Sequence, residues 1–207
     1  VTDRTARTLV LVHGAASGPW VFDAWRDRWP GLDVRIPDLQ EGLDVAHASM
    51  TDYADRVTAV ADPASIVVGW SMGGLVALMA ATTIRPRALV VIEPSVPVEV
   101  GGPDPDVVVA PGTYLAADVY GPGTDPSRTR PESALARAER KRGISVPRVT
   151  CPMLVVAGAD HLADRGRPVA DFYRAHLLEF PDLDHGQLVT DPQVCDAVRR
   201  WVDRRPG

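Results

Sequence analysis

Gly69-Trp70-Ser71-Met72-Gly73 sets a serine between two glycines, and the residues around it give that spacing its meaning. The apolar run Ile66 to Val68 precedes it, and Gly73 to Ile84, apolar all round, follows. A sharp turn from a buried strand into a buried helix strains the serine's backbone, and flanking glycines let strand and helix approach closely. The Ser71 hydroxyl then stands at a helix N-terminus, where backbone N–H groups and the dipole favour developing negative charge. That is the setting of a nucleophile. A glycine-rich turn with an incidental serine would not need the strand before it and the helix after it. The matching base is His185, in Asp184-His185-Gly186-Gln187, between the last strand-like run and the final helical segment. A neutral imidazole there can take the serine proton and return it to a leaving group. Of the other histidines, His47 and His176 read as surface or helix-terminal residues, and His13 as a structural residue that turns its loop. Asp160, His161 and Asp164 make an acid-rich cluster, but no H-E-x-x-H or paired C-x-x-C spacing accompanies them, so no metal is expected. A Gly-x-Gly phosphate loop is also missing, and no nucleotide or other cofactor is implied.

These residues need a scaffold, and the chain supplies one. Leu9 to Val12, Ile66 to Val68, Leu89 to Ile92 and Leu154 to Val156 are apolar without alternation, as strands buried on both faces of a parallel sheet must be. Helical spacing fills the intervals: Trp20 to Trp29, Met50 to Ala61, Gly73 to Ile84 and Pro192 to Asp203. The alternation predicts an α/β, doubly wound, mostly parallel sheet of six strands, near 8–13, 33–37, 65–69, 88–93, 153–158 and 177–180, with helices on both faces. Residues 1–93 and 150–207 form this core. Between them, Pro94 to Val149 breaks the rhythm with clustered Pro and Gly. Two helical candidates interrupt it, Thr113 to Tyr120 and Pro131 to Arg142, the second opened by Thr129 and Glu132 at capping-box spacing. An insertion after a strand lies over the edge where the carboxyl ends of the strands open, so 94–149 is expected to form a small helical lid.

Composition excludes several roles. With 22 Lys+Arg against 27 Asp+Glu and a formal net charge of -5, the chain has no basic surplus for nucleic acid. Its apolar runs are far short of the roughly 20 residues of a membrane helix. Val1 to Thr8 carries Asp3, Arg4 and Arg7 and leads into a strand, with no visible secretory signal. Cys151 and Cys195 lie in dissimilar contexts and read as two reduced thiols, consistent with a cytoplasmic setting.

His13-Gly14-Ala15-Ala16-Ser17-Gly18-Pro19-Trp20 follows the first strand. Together with the serine turn and His185, this loop makes the sequence resemble the α/β-hydrolase superfamily over nearly the whole chain. The H-G-A opening and compact size resemble small esterases, plant hydroxynitrile lyases and methyl-ester hydrolases. The resemblance implies an oxyanion hole from the backbone N–H groups of Ala15 and Met72. It also implies a sheet trimmed to six strands, because the superfamily's usual antiparallel pair before this point is missing. The acid of the implied triad departs from the common pattern. Its usual place, three residues beyond Gly158, holds His161, and Asp160 is one position early. In a branch resembling pancreatic-type lipases the acid ends the preceding strand, and Ile92-Glu93-Pro94-Ser95-Val96-Pro97 fits that arrangement. A buried carboxylate there needs a partner to offset desolvation, and a histidine N–H supplies one. Glu93 and Asp160 both stand as candidates, with Asp164 or no acid at all behind them.

The expected activity is cofactor-independent serine hydrolysis of an ester, thioester or lactone. The alternatives are a non-hydrolytic lyase or cyclase and a small-ligand receptor. Such lyases use a lid lysine, for which Lys141 is the only candidate, and it sits between Arg140 and Arg142 as a solvated helix face would. Trp20, Phe22, Trp70, Tyr114 and Leu115 are the expected pocket walls, implying a small-molecule substrate with an apolar or aromatic acyl group. The sequence leaves oligomeric state open.

Overall fold

Strands that lack alternation require apolar cover on both sides, and the sheet provides it. The computed structural model describes residues 7–121 and 125–204. Residues 1–6, which carry most of the leader reading, and the Pro122-Gly123 turn lie outside them. In chain order the first half comprises β1 (Thr8–Val12), α1 (Asp23–Arg26), β2 (Asp33–Arg35), α2 (Met50–Val60), β3 (Ile66–Trp70), α3 (Met72–Ile84) and β4 (Ala88–Ile92). There follow α4 (Val98–Gly101), β5 (Thr113–Tyr114), α5 (Ala116–Tyr120), β6 (Glu132–Ser133) and α6 (Ala134–Arg142). The chain continues with β7 (Met153–Gly158), α7 (Arg167–Tyr173), β8 (His176–Phe180), α8 (Gln187–Thr190) and α9 (Pro192–Asp203).

Six strands form one sheet in the order β2-β1-β3-β4-β7-β8. Every pairing in it is parallel, where the sequence suggested only a mostly parallel sheet. Alternate residues of each central strand enter different cores. Val10, Val67, Val91 and Val155 pack with α2, α3 and Val169 of α7 on one face. Leu9, Val68, Val90 and Val156 pack with Phe22, Trp25, Val198 and Trp201 on the other. Both sets are apolar because both faces are covered, which removes any period-2 signal. The order reverses beside β1, and ligands of doubly wound sheets bind at such a switch point, beyond the carboxyl ends of the strands. The loops after β1, β3, β4 and β7 all emerge there.

Local signals explain the helix starts. Ser49 caps α2 in a reciprocal box with Asp52, whose carboxylate accepts from the Ser49 N–H at 2.8 Å, and Asp191 caps α9. Three expectations need correction. Trp20 to Trp29 is not one helix but a 3-10 turn, Pro19–Phe22, running into the short α1. Thr113 to Tyr120 begins as β5, paired antiparallel with β6, and only then turns helical. Glu132 is not in a capping box with Thr129. It is a fully buried strand residue, and Ser133 caps α6, accepting from the Ala136 N–H at 3.0 Å. Among the described residues no helix is long and apolar enough to cross a membrane. Both cysteines are free, and burial pushes the Cys195 thiol up to about 11.

Candidate active site

Ser71 sits between β3 and α3 with φ 57 and ψ -122, a region that non-glycine residues avoid because of steric cost. The turn is held on both sides. The Ser71 N–H donates to the Ile92 carbonyl at 2.9 Å, and the Ser71 carbonyl accepts from Gly74 and Ser95 N–H at 3.0 and 2.9 Å. The neighbouring glycines are steric necessities. A Cβ on Gly69 would lie 2.2 Å from the Gly73 carbonyl oxygen, and one on Gly73 would lie 2.3 Å from the Val12 oxygen. Ser71 is half-buried where α3 begins.

Glu93 ends β4 with φ 39, fully buried. Its Oε2 accepts from His185 Nδ1 at 2.6 Å, and its Oε1 accepts from the Gly158 N–H at 2.7 Å. Burial alone would raise its pKa. The two hydrogen bonds and the adjacent His185 and His161 outweigh that and hold the carboxyl below its ordinary value. In a neutral imidazole, a carboxylate that receives Nδ1–H selects the tautomer whose Nε2 can accept a proton. Asp160 takes another place: its Oδ2 accepts from the backbone N–H of His185 at 2.9 Å, so it holds the loop and not the ring. Trp70 also holds that loop, with its indole N–H donating to the His185 carbonyl at 3.0 Å and its ring 5.1 Å from the imidazole. Among the described residues, the side-chain partner of His185 is Glu93, and no direct hydrogen bond joins Ser71 Oγ to the ring.

The loop after β1 forms the opposite wall. His13 is fully buried; its Nε2 accepts from the Leu39 N–H at 3.1 Å and its Nδ1 meets the Gly14 carbonyl at 2.9 Å. A neutral ring protonated at Nδ1 satisfies both, which is the structural role its position suggested. Ala16 adopts φ 56 and is clasped by the strand-like stretch 130–132. Its N–H donates to Glu132 Oε2 at 2.8 Å, and its carbonyl accepts from the Arg130 N–H at 3.0 Å. Glu132 Oε1 also accepts from the Tyr53 hydroxyl at 2.5 Å and the Ser133 N–H at 2.8 Å. Arg130 is fixed in turn by Asp38, which takes two of its N–H groups at 2.8 and 2.5 Å. That pairing lowers the Asp38 pKa far below the carboxylate range. With Ala16 engaged, the neighbouring Ala15 N–H is left without an acceptor among the described residues. Sequence reasoning missed this bracket, since nothing local marks Glu132 as buried.

The remaining expected residues divide. Trp20 flanks the loop, its N–H donating to the Arg128 carbonyl and its ring lying 5.4 Å beneath the Arg130 guanidinium. Phe22 is fully buried in the core beside Trp25. Tyr114 bonds Tyr120 through the hydroxyls at 3.2 Å, and Leu115 is 53% exposed. Asp164 pairs with His161 at 3.2 Å and Arg165 at 3.7 Å. Lys141 is exposed in the last turn of α6. His161 places its ring edge-on to His185, 5.4 Å away. Glu93, His161 and His185 offer ligand atoms within 4.8 Å of one another, but the Glu93 oxygens already receive His185 and Gly158, so a cation there would compete with that pair.

A family model described as the alpha/beta hydrolase family matches residues 9–199. The chain belongs to that family. Among curated proteins, it is similar to a pimeloyl-[acyl-carrier protein] methyl ester esterase of Xanthomonas campestris pv. campestris strain B100, 39% identical over 125 residues, 55% of this chain and 49% of that protein. A protein of the same name from Aromatoleum aromaticum is 38% identical over 73 residues, 34% of this chain and 29% of that one. The chain thus spans about half, or less, of the length of the curated relatives it matches. Among solved structures, a methylesterase from Arabidopsis superposes with a TM-score of 0.68 at 16% identity, covering 95% of this chain and 99% of the other. An esterase from Thermogutta terrifontis does so with 0.68 at 20% identity, covering 97% and 90%. At these identities the likeness shows a shared α/β-hydrolase fold.

Proposed function

We propose that this α/β hydrolase is a cofactor-independent serine esterase working through an acyl-enzyme. The observation that carries the reading is the buried Glu93 carboxylate 2.6 Å from His185 Nδ1, across the sheet edge from the strained Ser71. Ser71 Oγ attacks the acyl carbon while His185 Nε2 takes its proton, and the Glu93 carboxylate stabilises the imidazolium that forms. The oxyanion receives the N–H groups of Ala15 and of Met72 at the start of α3. Collapse of this intermediate breaks the ester C–O bond, His185 returns the proton to the departing alcohol, and water repeats the sequence on the acyl-enzyme. The curated relatives are named as methyl ester esterases, which supports an ester as the bond cleaved. Residues 94–149 are the proposed lid, in which the stretch 130–132 meets the loop after β1 at Ala16.

A fluorophosphonate probe tests the reading directly. It should label Ser71 alone, and Ser71→Ala should abolish both labelling and the hydrolysis of p-nitrophenyl acetate. Undiminished turnover in Ser71→Ala would overturn the serine mechanism.

A further inference from the structure

A cavity of about 440 Å³ has Ser95 in its wall, and its lining is strongly basic. Arg137, Arg140 and Lys141 enter it from α6, and Arg165 enters from the turn before α7. One carboxylate, Asp104, lines it against these four cations. Only Arg165 has an acid within 4 Å among the described residues, the exposed Asp164 at 3.7 Å. Arg137 lies over the Tyr114 ring, 5.5 Å from its centre. Arg140 donates to Ser95 Oγ at 2.9 Å, while its Nε is buried without an acceptor. Ser95 connects the cavity to the nucleophile, since its own N–H donates to the Ser71 carbonyl at 2.9 Å. Arg165 adds a second connection: it feels the charges of both Glu93 and Arg140.

Basic residues in the last turn of a helix are ordinarily explained by the helix dipole. That accounts for Arg140, Lys141 and Arg142, but not for Arg137 one turn earlier, nor for the convergence of Arg165 from a separate element. In a chain with a net charge of -5, gathering cations with so few counter-ions around one concave space costs mutual repulsion that a bound anion would relieve.

Resting on the esterase reading, we infer that this cavity receives an anionic group of the substrate, a carboxylate or phosphate, so that the enzyme selects esters carrying a negative charge away from the scissile bond. Arg140 and Arg137 are the specificity-determining residues, with Lys141 and Arg165 adding to the field. The expected apolar or aromatic acyl group thereby gives way to a chain with a charged end.

The test compares matched esters in two arms. In the first the charge is on the acyl side: the mono-p-nitrophenyl ester of adipic acid against p-nitrophenyl hexanoate. In the second it is on the alcohol side: 3-carboxy-4-nitrophenyl butyrate against p-nitrophenyl butyrate. The ratio of kcat/KM, charged over neutral, should fall roughly tenfold in Arg140→Gln in one arm, the loss expected for one charge-assisted hydrogen bond. The double variant Arg137→Gln, Lys141→Gln should lower it in the same arm and carries the test if Arg140→Gln fails to fold. The wild-type ratio should also fall as salt is raised from 0.05 to 0.5 M. Ratios unmoved by variants and by salt in both arms would overturn the inference. Calorimetric binding of adipate to Ser71→Ala separates the two claims. Binding that weakens with the Arg140 change, in a protein whose wild type hydrolyses neither ester, would retain the anion site and discard the esterase. Hydrolysis of neutral esters without adipate binding would do the reverse.

Discussion

Replacing Glu93 by Gln keeps size and shape and alters one thing: an acceptor becomes a donor. In the structure both Glu93 oxygens accept, one from His185 Nδ1 and one from the Gly158 N–H. An amide can satisfy only one of them. With its oxygen toward His185, its NH₂ faces the buried Gly158 N–H, donor against donor, at a cost of about 1–3 kcal/mol. With its oxygen toward Gly158, its NH₂ faces Nδ1, and the imidazole relieves the conflict by moving its proton to Nε2. A neutral histidine exchanges tautomers far more cheaply than a buried N–H gives up its acceptor, so the second arrangement prevails. Nε2 then carries a proton and cannot take another from Ser71. In Ser-His-Asp proteases the equivalent change lowers kcat about 10⁴-fold, or about 5 kcal/mol of barrier. The expected result is a loss of that order in kcat for p-nitrophenyl acetate, with KM little changed and the melting temperature within a few degrees of wild type. Asp160→Asn should lose less than about tenfold, because an amide oxygen can still accept from the His185 main chain. A severe loss in Asp160→Asn with a mild one in Glu93→Gln would refute the assignment.

Glu132→Ala should be among the most destabilising single changes in the chain, at about 3 kcal/mol or more by chemical denaturation. It leaves the Ala16 N–H, the Tyr53 hydroxyl and the Ser133 N–H without their buried acceptor. A loss under 1 kcal/mol would mean that water replaces the carboxylate. Gly73→Ala should cost at least about 2 kcal/mol and abolish fluorophosphonate labelling, because the new methyl meets main-chain oxygens of Val12 and His13 that cannot yield. Asp38→Asn should remove stability at neutral pH. The folded pKa of Asp38 lies below its unfolded value, so its contribution is present above the ordinary carboxylate range and fades as pH falls. The gap between the melting temperatures of wild type and variant should therefore begin to narrow below about pH 4 and go on narrowing with further acidification, and a constant gap down to pH 2 would contradict the ion pair.

The central strands were legible because four apolar runs lacking alternation admit few interpretations other than a sheet covered on both faces. Glu93 was legible for a related reason: a carboxylate closing an apolar strand must meet a partner. The choice between Glu93 and Asp160 was not, because both carboxylates reach His185 and only coordinates separate ring from main chain. Glu132 was misread because its capping-box spacing is a local signal, whereas its burial depends on Ala16 and Tyr53, far away in sequence. Beside its expected place in the pocket wall, Trp70 has a second role that its type alone does not reveal, since its N–H anchors the His185 loop. The β5–β6 pair escaped notice because two-residue strands are too short to show a period.

The clasp on Ala16 means that the amide of this one residue reports the state of a segment more than a hundred positions away. Its hydrogen is buried against Glu132, while its carbonyl is tied to Arg130, so it can exchange with solvent deuterium only when the stretch 130–132 lifts. Local opening of that stretch and release of the loop after β1 are then coupled in free energy. Slow exchange at Ala16 would therefore measure how rarely the clasp between the loop after β1 and residues 130–132 opens.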